Sequence, residues 1–427
     1  MNRESRWSIV IGSLALLIAL AAVEWRQASP PWREFQPDGP VRTLIPAISD
    51  EPELCLTCHF GIEEISPSHP VDVFGCVACH GGDRLSLDVA EAHADLRGPS
   101  GNPADLSVVE QSCGSADCHG GELQSNRNHI ARITRSLHTT YASALAAFAQ
   151  EYDVAAGPLG VVDVAADIYG PPGTLDALAA LDPAALESAG AKRFSDNCLH
   201  CHLGAAPIDA PGYYRGAGCA ACHVPYADDG VYRGADPTVP TDEPGHPLRH
   251  ALTVVMPSAQ CTRCHGRGNY SLQTLAFTPH DPGDNPHNTD TATVCERELD
   301  CIDCHNAGEA MGDGYLYANA DAAPSVECRT CHGTLEEPPS LVTLDDPNDP
   351  AFRRANLNSN YFVHEGDRTL VAPNGEAFGA VRWQDGRLVQ TGRVTGRTYS
   401  VPLVQGSACQ QNIDEQAASD CRACHGA

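Results

Sequence analysis

Cys301-Ile302-Asp303-Cys304-His305 is the stretch on which the reading of this chain turns. Two cysteines with two residues between them are followed at once by histidine, and the arrangement recurs. It stands at Cys55, Cys58 and His59, at Cys76, Cys79 and His80, and at Cys198, Cys201 and His202. It returns at Cys219, Cys222 and His223, at Cys261, Cys264 and His265, at Cys328, Cys331 and His332, and at Cys421, Cys424 and His425. Cys113, Cys118 and His119 form a wider version with four residues between the cysteines. Nine such groups absorb all but two of the 20 cysteines.

This spacing lets two thiols reach the two vinyl groups of one porphyrin and sets the next histidine under the iron as axial ligand. One match alone would equally suit a zinc site or a redox dithiol. Neither of those uses a histidine directly after every second cysteine. The sequence therefore predicts nine covalently bound haem c groups.

Of the 19 histidines, nine belong to the motifs. His200 lies inside one, where it cannot reach the far face of its own haem. The others, His69, His93, His129, His138, His246, His250, His280, His287 and His364, match the nine sixth positions in number and are the expected distal ligands. Met256 and Met311 are the only methionines after Met1, and ordinary packing is the expectation for both.

An iron with two imidazoles has no open position for substrate and can only pass electrons. Catalytic multihaem proteins need an open iron, often marked by lysine in place of the motif histidine, and no motif here ends in lysine. Electron transfer is thus the expected function. The alternative is a reductase or oxidase of a small nitrogen or sulfur oxyanion with one open haem.

The formal net charge is −28 with histidine neutral, and Lys192 is the only lysine. Phosphate binding requires clustered basic residues, so nucleic acid is excluded as a natural partner. Aromatic residues make up 6% of the chain, few for several conventional cores. The expected fold is mainly α with extensive loops, a haem stack serving as the core, a small antiparallel β segment near the C-terminus and one N-terminal transmembrane helix.

That helix is read from Arg3 and Arg6 followed by an uncharged run over residues 7–23, ended by Glu24. Trp25 and Trp32 would mark the outer interface, although Ala19-Leu20-Ala21 also resembles a cleavage site. Residues 1–23 are thus expected to anchor the chain in the cytoplasmic membrane, with the haem domain on the periplasmic or extracellular side. Residues 24–48 read as a tether, 49–138 as a three-haem module and 139–197 as a haem-free insert. In that insert Tyr141, Leu145 and Phe148 recur at helical spacing. Residues 198–345 form a five-haem module, 346–408 a β-rich segment and 409–427 a last haem-binding segment. In the β-rich segment, 381–383 and 388–390 are split by Asp385-Gly386, and Pro373-Asn374-Gly375 supplies another turn.

Two features cut across these modules. Cys55 to Cys76 and Cys198 to Cys219 have the same spacing, each with a glycine (Gly75, Gly218) before the second motif, which suggests one dihaem unit used twice. Cys295 and Cys409 lie outside the motifs and form an even pair, so a disulfide between them is expected.

The chain resembles the multihaem cytochrome c superfamily. Cys301 to His305, the following Met311-Gly312-Asp313-Gly314 and residues 328–333 resemble its large members. The resemblance implies closely stacked haems, with redox proteins as partners. A quinol-oxidising respiratory complex is the expected membrane donor. The resemblance also implies a second alternative function, a subunit of an extracellular cytochrome filament in which a histidine of one subunit ligates a haem of the next, and with it a homo-oligomer.

Overall fold

The computed structural model describes residues 3–28, 30–36, 38–115, 117–121, 127–139, 203–204, 207–265, 298–315, 323–409 and 421. The motif at Cys198, Cys201 and His202 lies outside them, as do His200, His280, His287, Cys295, Cys424, His425 and the insert beyond residue 139. The proposed Cys295–Cys409 disulfide therefore cannot be placed.

The expectation of a mainly α chain is corrected. Helix accounts for 28% of the protein and strand for 11%. Apart from Arg3–Ala28, the longest described helix is Pro350–Asn358, and most are single turns, such as Val77–His80, Ala220–His223 and Cys301–Cys304. Many turns are closed by glycine or proline (38 and 32 residues), which keep helices short.

The transmembrane helix is corrected as well. Residues 3–28 are helical, with Ile11, Leu14, Leu17 and Leu20 exposed, but among the described residues no helix is long and apolar enough to cross a membrane. The uncharged run of residues 7–23 is only at the lower edge of the roughly 17–25 apolar residues that a bilayer core requires. Trp32, expected at an interface, is buried and stacks under the Arg33 guanidinium.

The one sheet is larger than foreseen and begins earlier, inside the stretch assigned to the five-haem module. β1 (Leu341–Thr343), β2 (Arg368–Val371), β3 (Ala377–Gln384), β4 (Arg387–Thr391) and β5 (Thr398–Val401) form an antiparallel meander in chain order. Asp385 and Gly386, at φ 49° and 79°, make the two-residue turn between β3 and β4. Positive φ at both central positions gives a turn whose twist matches that of the strands. The turn fixes the register, with Gln384 opposite Arg387 and Val381 opposite Gln390.

One set of sheet residues, Leu370, Phe378, Val381, Leu388 and Val401, forms a conventional core on which Cys331 packs. Ala380 packs instead with Ala355 of the Pro350–Asn358 helix and with Tyr361. Small residues at 351 and 355 let that helix approach closely, and Asp349 caps it by accepting the Ala351 N–H. Glu376, just before β3, ties three elements together. It pairs with Arg354 of this helix at 3.0 Å and with Arg132 of the His129–Ile133 helix at 3.2 Å.

Candidate haem-binding sites

Among the described narrow motifs, those at Cys55, Cys76, Cys219 and Cys301 close as a single helical turn, and that at Cys261 ends the longer Ser258–His265 helix. The His59, His80, His223 and His305 N–H groups donate to the carbonyls of Cys55, Cys76, Cys219 and Cys301 at 2.8–3.1 Å. Positions i, i+3 and i+4 of a helix share one face, so both thiols and the imidazole are presented together. The wide motif reaches the same closure differently. The His119 N–H donates to the Cys113 carbonyl at 2.9 Å, and the extra residues loop out.

The glycines before two second motifs share a conformation, φ 66° at Gly75 and 62° at Gly218. A Cβ at Gly218 would strike the Ala104 carbonyl, and one at Gly75 would strike Pro46 and the Glu53 carboxylate. The shared spacing thus has a local reason, a left-handed step packed against backbone or a buried side chain.

The imidazoles are oriented through Nδ1. His80 donates to the Gly101 carbonyl at 3.2 Å, His223 to that of Thr253 at 2.9 Å and His332 to that of Pro402 at 2.7 Å. A carbonyl only accepts, so Nδ1 carries the proton and Nε2 keeps a lone pair for a metal. His250 does the same with the Glu63 carbonyl at 3.1 Å. Two motif histidines instead meet carboxylates, His59 with Asp236 at 2.7 Å and His305 with Glu309 at 3.3 Å.

Several predicted distal histidines are brought against motif histidines. Ring centroids lie 6.2 Å apart for His59 and His93, 6.1 Å for His80 and His250, and 5.8 Å for His265 and His138. His119 faces two candidates, His129 at 5.5 Å and His69 at 5.8 Å. Two imidazoles on one iron, each bonded at about 2 Å, place their ring centres roughly 6 Å apart. Among the described residues His246 and His364 lie against no motif histidine. The His364 side chain is 77% exposed, beside Asp367.

The electrostatics suit neutral ligands at most of these positions; at His59 burial is outweighed by the Asp236 carboxylate, which raises the imidazole, and Glu309 raises His305. Burial, followed by the charge of neighbouring histidines and arginines, pushes His80 down to about 4 and His129 down to about 3. Burial likewise lowers His69, His119, His138 and His223. A neutral imidazole binds metal and a protonated one does not. His129 Nδ1 is a buried polar atom without a protein partner. Burial also raises the thiols of Cys79 and Cys222 to about 11 and of Cys219 to about 12. Reactive dithiols need the opposite shift, which Cys301, at about 6, and Cys55 show because each accepts a hydrogen bond from the thiol of a neighbouring motif, Cys261 and Cys76 respectively. Paired thiols on one turn, facing neutral imidazoles and an orphaned nitrogen together fit a covalently held haem.

Neighbouring motifs touch. The thiols of Cys55 and Cys76 and the carboxylate of Glu53 lie within 4.8 Å of one another, and Glu53 accepts the Cys76 N–H at 2.7 Å. Gln260 of the Ser258–His265 helix donates to the Cys222 carbonyl at 2.7 Å, and Ser258 Oγ accepts the Cys301 N–H at 3.0 Å. Asp303, fully buried inside its motif, accepts the Arg393 N–H, and the Gln390 amide donates to its carbonyl, which seats this motif on the sheet. Met311 packs with Ile133, Leu203 and Ala221.

The partners of the histidine Nδ1 atoms were not foreseen. Asp236 lies 177 positions from His59, and no spacing rule links them.

Residues 271–333 match the family model described as cytochrome c554 and c-prime. No curated protein and no solved structure matches the chain. The matched stretch contains the Cys301–His305 and Cys328–His332 groups, so the chain is similar there to a c-type cytochrome, with c-type haem and haem-based electron transfer.

Proposed function

We propose that this chain binds nine haem c groups, mostly with two axial histidines, and conducts electrons from motif to motif. The observation that carries the reading is the facing of motif and distal imidazoles, His59 with His93, His80 with His250 and His265 with His138. When bound, c-type haem supplies a one-electron couple at each iron. The residues do the rest. Paired cysteines fix each group in place, and Nδ1 acceptors orient the proximal rings. Distal histidines fill the position at which substrate or water would otherwise enter. The meeting of Cys55 with Cys76, and of the Ser258–His265 helix with its two neighbouring motifs, supports close spacing of successive sites.

The site of action is proposed to be outside the cytoplasm, with a membrane-associated quinol-oxidising complex as donor. This rests on Arg3 and Arg6 preceding an apolar run and on covalent haem attachment as an export-side process.

A second reading has one observation in its favour. Among the described residues, His246 and His364 stand apart from the motif histidines, an arrangement that would suit an iron left open for reduction of a small oxyanion. Electron paramagnetic resonance of the ferric holoprotein decides between the two. The conduit requires low-spin signals from nearly all haems, with a haem to protein ratio of nine. A strong high-spin signal that changes on adding nitrite would overturn it in favour of the reductase.

A further inference from the structure

We propose that Asp236 sets the redox potential of the haem held by Cys55, Cys58 and His59, making it the most reducing site in the chain. The assignment rests on reading His59 as an axial ligand. Its basis is a contrast among the motif histidines. His80, His223 and His332 give their Nδ1 proton to neutral backbone carbonyls. His59 gives it to a carboxylate at 2.7 Å whose side chain is 1% exposed.

The Asp236 carboxylate is held from several sides. Its Oδ1 accepts the Thr238 N–H at 2.9 Å and the Thr238 hydroxyl at 2.8 Å. Because that hydroxyl proton is committed to Oδ1, the Thr238 oxygen is an acceptor toward His59 Nδ1, 2.9 Å away. The Nδ1 proton is therefore shared between Asp236 and Thr238. The Asp236 N–H donates to the Tyr232 oxygen at 3.1 Å, and the buried Tyr232 hydroxyl donates to Glu63 at 3.0 Å. Glu63 also accepts the Ala235 N–H at 2.8 Å. Among the described residues, His59 is the only ion-pair partner of Asp236.

A buried carboxylate accepting from Nδ1 draws the proton away from the ring and makes Nε2 a stronger donor. That favours ferric iron and lowers the potential. Low local dielectric preserves the effect. Glu309 acts on His305 in the same sense but less, since its bond is 3.3 Å and the oxygen that makes it also accepts the Val326 N–H, whereas the Thr238 donors meet the other oxygen of Asp236.

The test is a spectroelectrochemical titration of the holoprotein, with the haems followed individually by electron paramagnetic resonance. D236N is expected to move the lowest midpoint positive, leaving the other midpoints and the low-spin state of that haem unchanged. T238V removes the competing acceptor and gives the proton wholly to Asp236, so it is expected to move the same midpoint negative. Opposite signs at one haem are not an outcome of general loosening. If D236N fails to mature, the sign of the T238V shift decides alone. Superimposable titrations, a uniform shift of all haems, or movement of a midpoint other than the lowest would overturn the proposal. Failure of the underlying reading is distinguishable. H59A would then leave all haems low-spin, showing that His59 is not an axial ligand.

Discussion

At the residue scale, each imidazole has two nitrogens with separate duties. At His59, His80, His223, His250, His305 and His332 Nδ1 is held by a carbonyl or carboxylate, which leaves Nε2 available to a metal. His250 shows both, with Nδ1 on the Glu63 carbonyl and its ring facing His80 at 6.1 Å. H250A should therefore convert one haem from low to high spin while covalent haem content, set by Cys76 and Cys79, stays unchanged. H364A, at an exposed position, should leave the ferric spectrum as it is. Magnetic resonance of both variants checks this pair, and a silent H250A would remove His250 from the ligand set.

The same scale explains why Gly218 is glycine. Its φ of 62° costs a β-carbon-bearing residue about 1–2 kcal/mol, and the Cβ would also strike the Ala104 carbonyl. Gly212 has φ 76° with open space around it, so an alanine there meets only the conformational cost. G218A should lower thermal stability distinctly more than G212A, as measured by melting followed at the Soret band.

Among elements, Glu376 joins the start of β3 to two helices that are remote in sequence. Burial acts to raise its carboxyl, but Arg354 and Arg132 more than offset this and hold it below the ordinary 4.5. A carboxyl lowered in the folded state binds protons more readily in the unfolded one. Its stabilisation is therefore present above the unfolded value and fades as the pH falls through the folded one. E376Q should cost about 1–3 kcal/mol at neutral pH, because the Arg132 guanidinium is left buried with a neutral partner. The variant should also lose less stability than the parent on acidification below about pH 4.5. Denaturant titrations at pH 7 and pH 4 measure both effects.

This scale also shows what was legible in advance. Asp385-Gly386 and the alternation around it mark the β3–β4 hairpin, because turn type and strand period are local properties. The Cys-x-x-Cys-His groups are legible for the same reason, since one helical turn brings i, i+3 and i+4 together. β1 was missed because Leu341–Thr343 is three residues long and acquires its state from pairing with β2. Asp236, Asp303 and Glu376 were missed because their partners are 177, 90 and 244 positions away, where no periodicity reaches. The excess of helix in the expectation came from expecting helices and loops packed on a haem stack to make up most of the chain. The described motif helices are mostly about one turn long, and two of them stop at glycine, after His80 and His332.

For the molecule as a whole, apolar side chains are gathered unevenly. The sheet has a closed core of Leu370, Phe378, Val381, Leu388 and Val401, and a helix packed through Ala355 and Ala380. Across the described part of residues 38–257 the elements are about one turn each, and apart from a small cluster of Ile133, Leu203 and Ala221 the buried apolar residues, such as Val109, Tyr214 and Tyr232, lie scattered. Isolated turns of four residues are not stable by themselves, since nucleation costs more than one turn returns. On the proposed function, the apolar surface that stabilises them is supplied by the haems. Protein made in cells that cannot attach haem should consequently keep slow amide exchange only in the sheet and the Pro350–Asn358 helix. Residues 49–265 should exchange at near-unfolded rates and be cut early by protease. In holoprotein both regions should be protected. Equal protection of the two regions without haem would mean that the single-turn part has a core of its own, and that the haems are passengers in the fold rather than its interior.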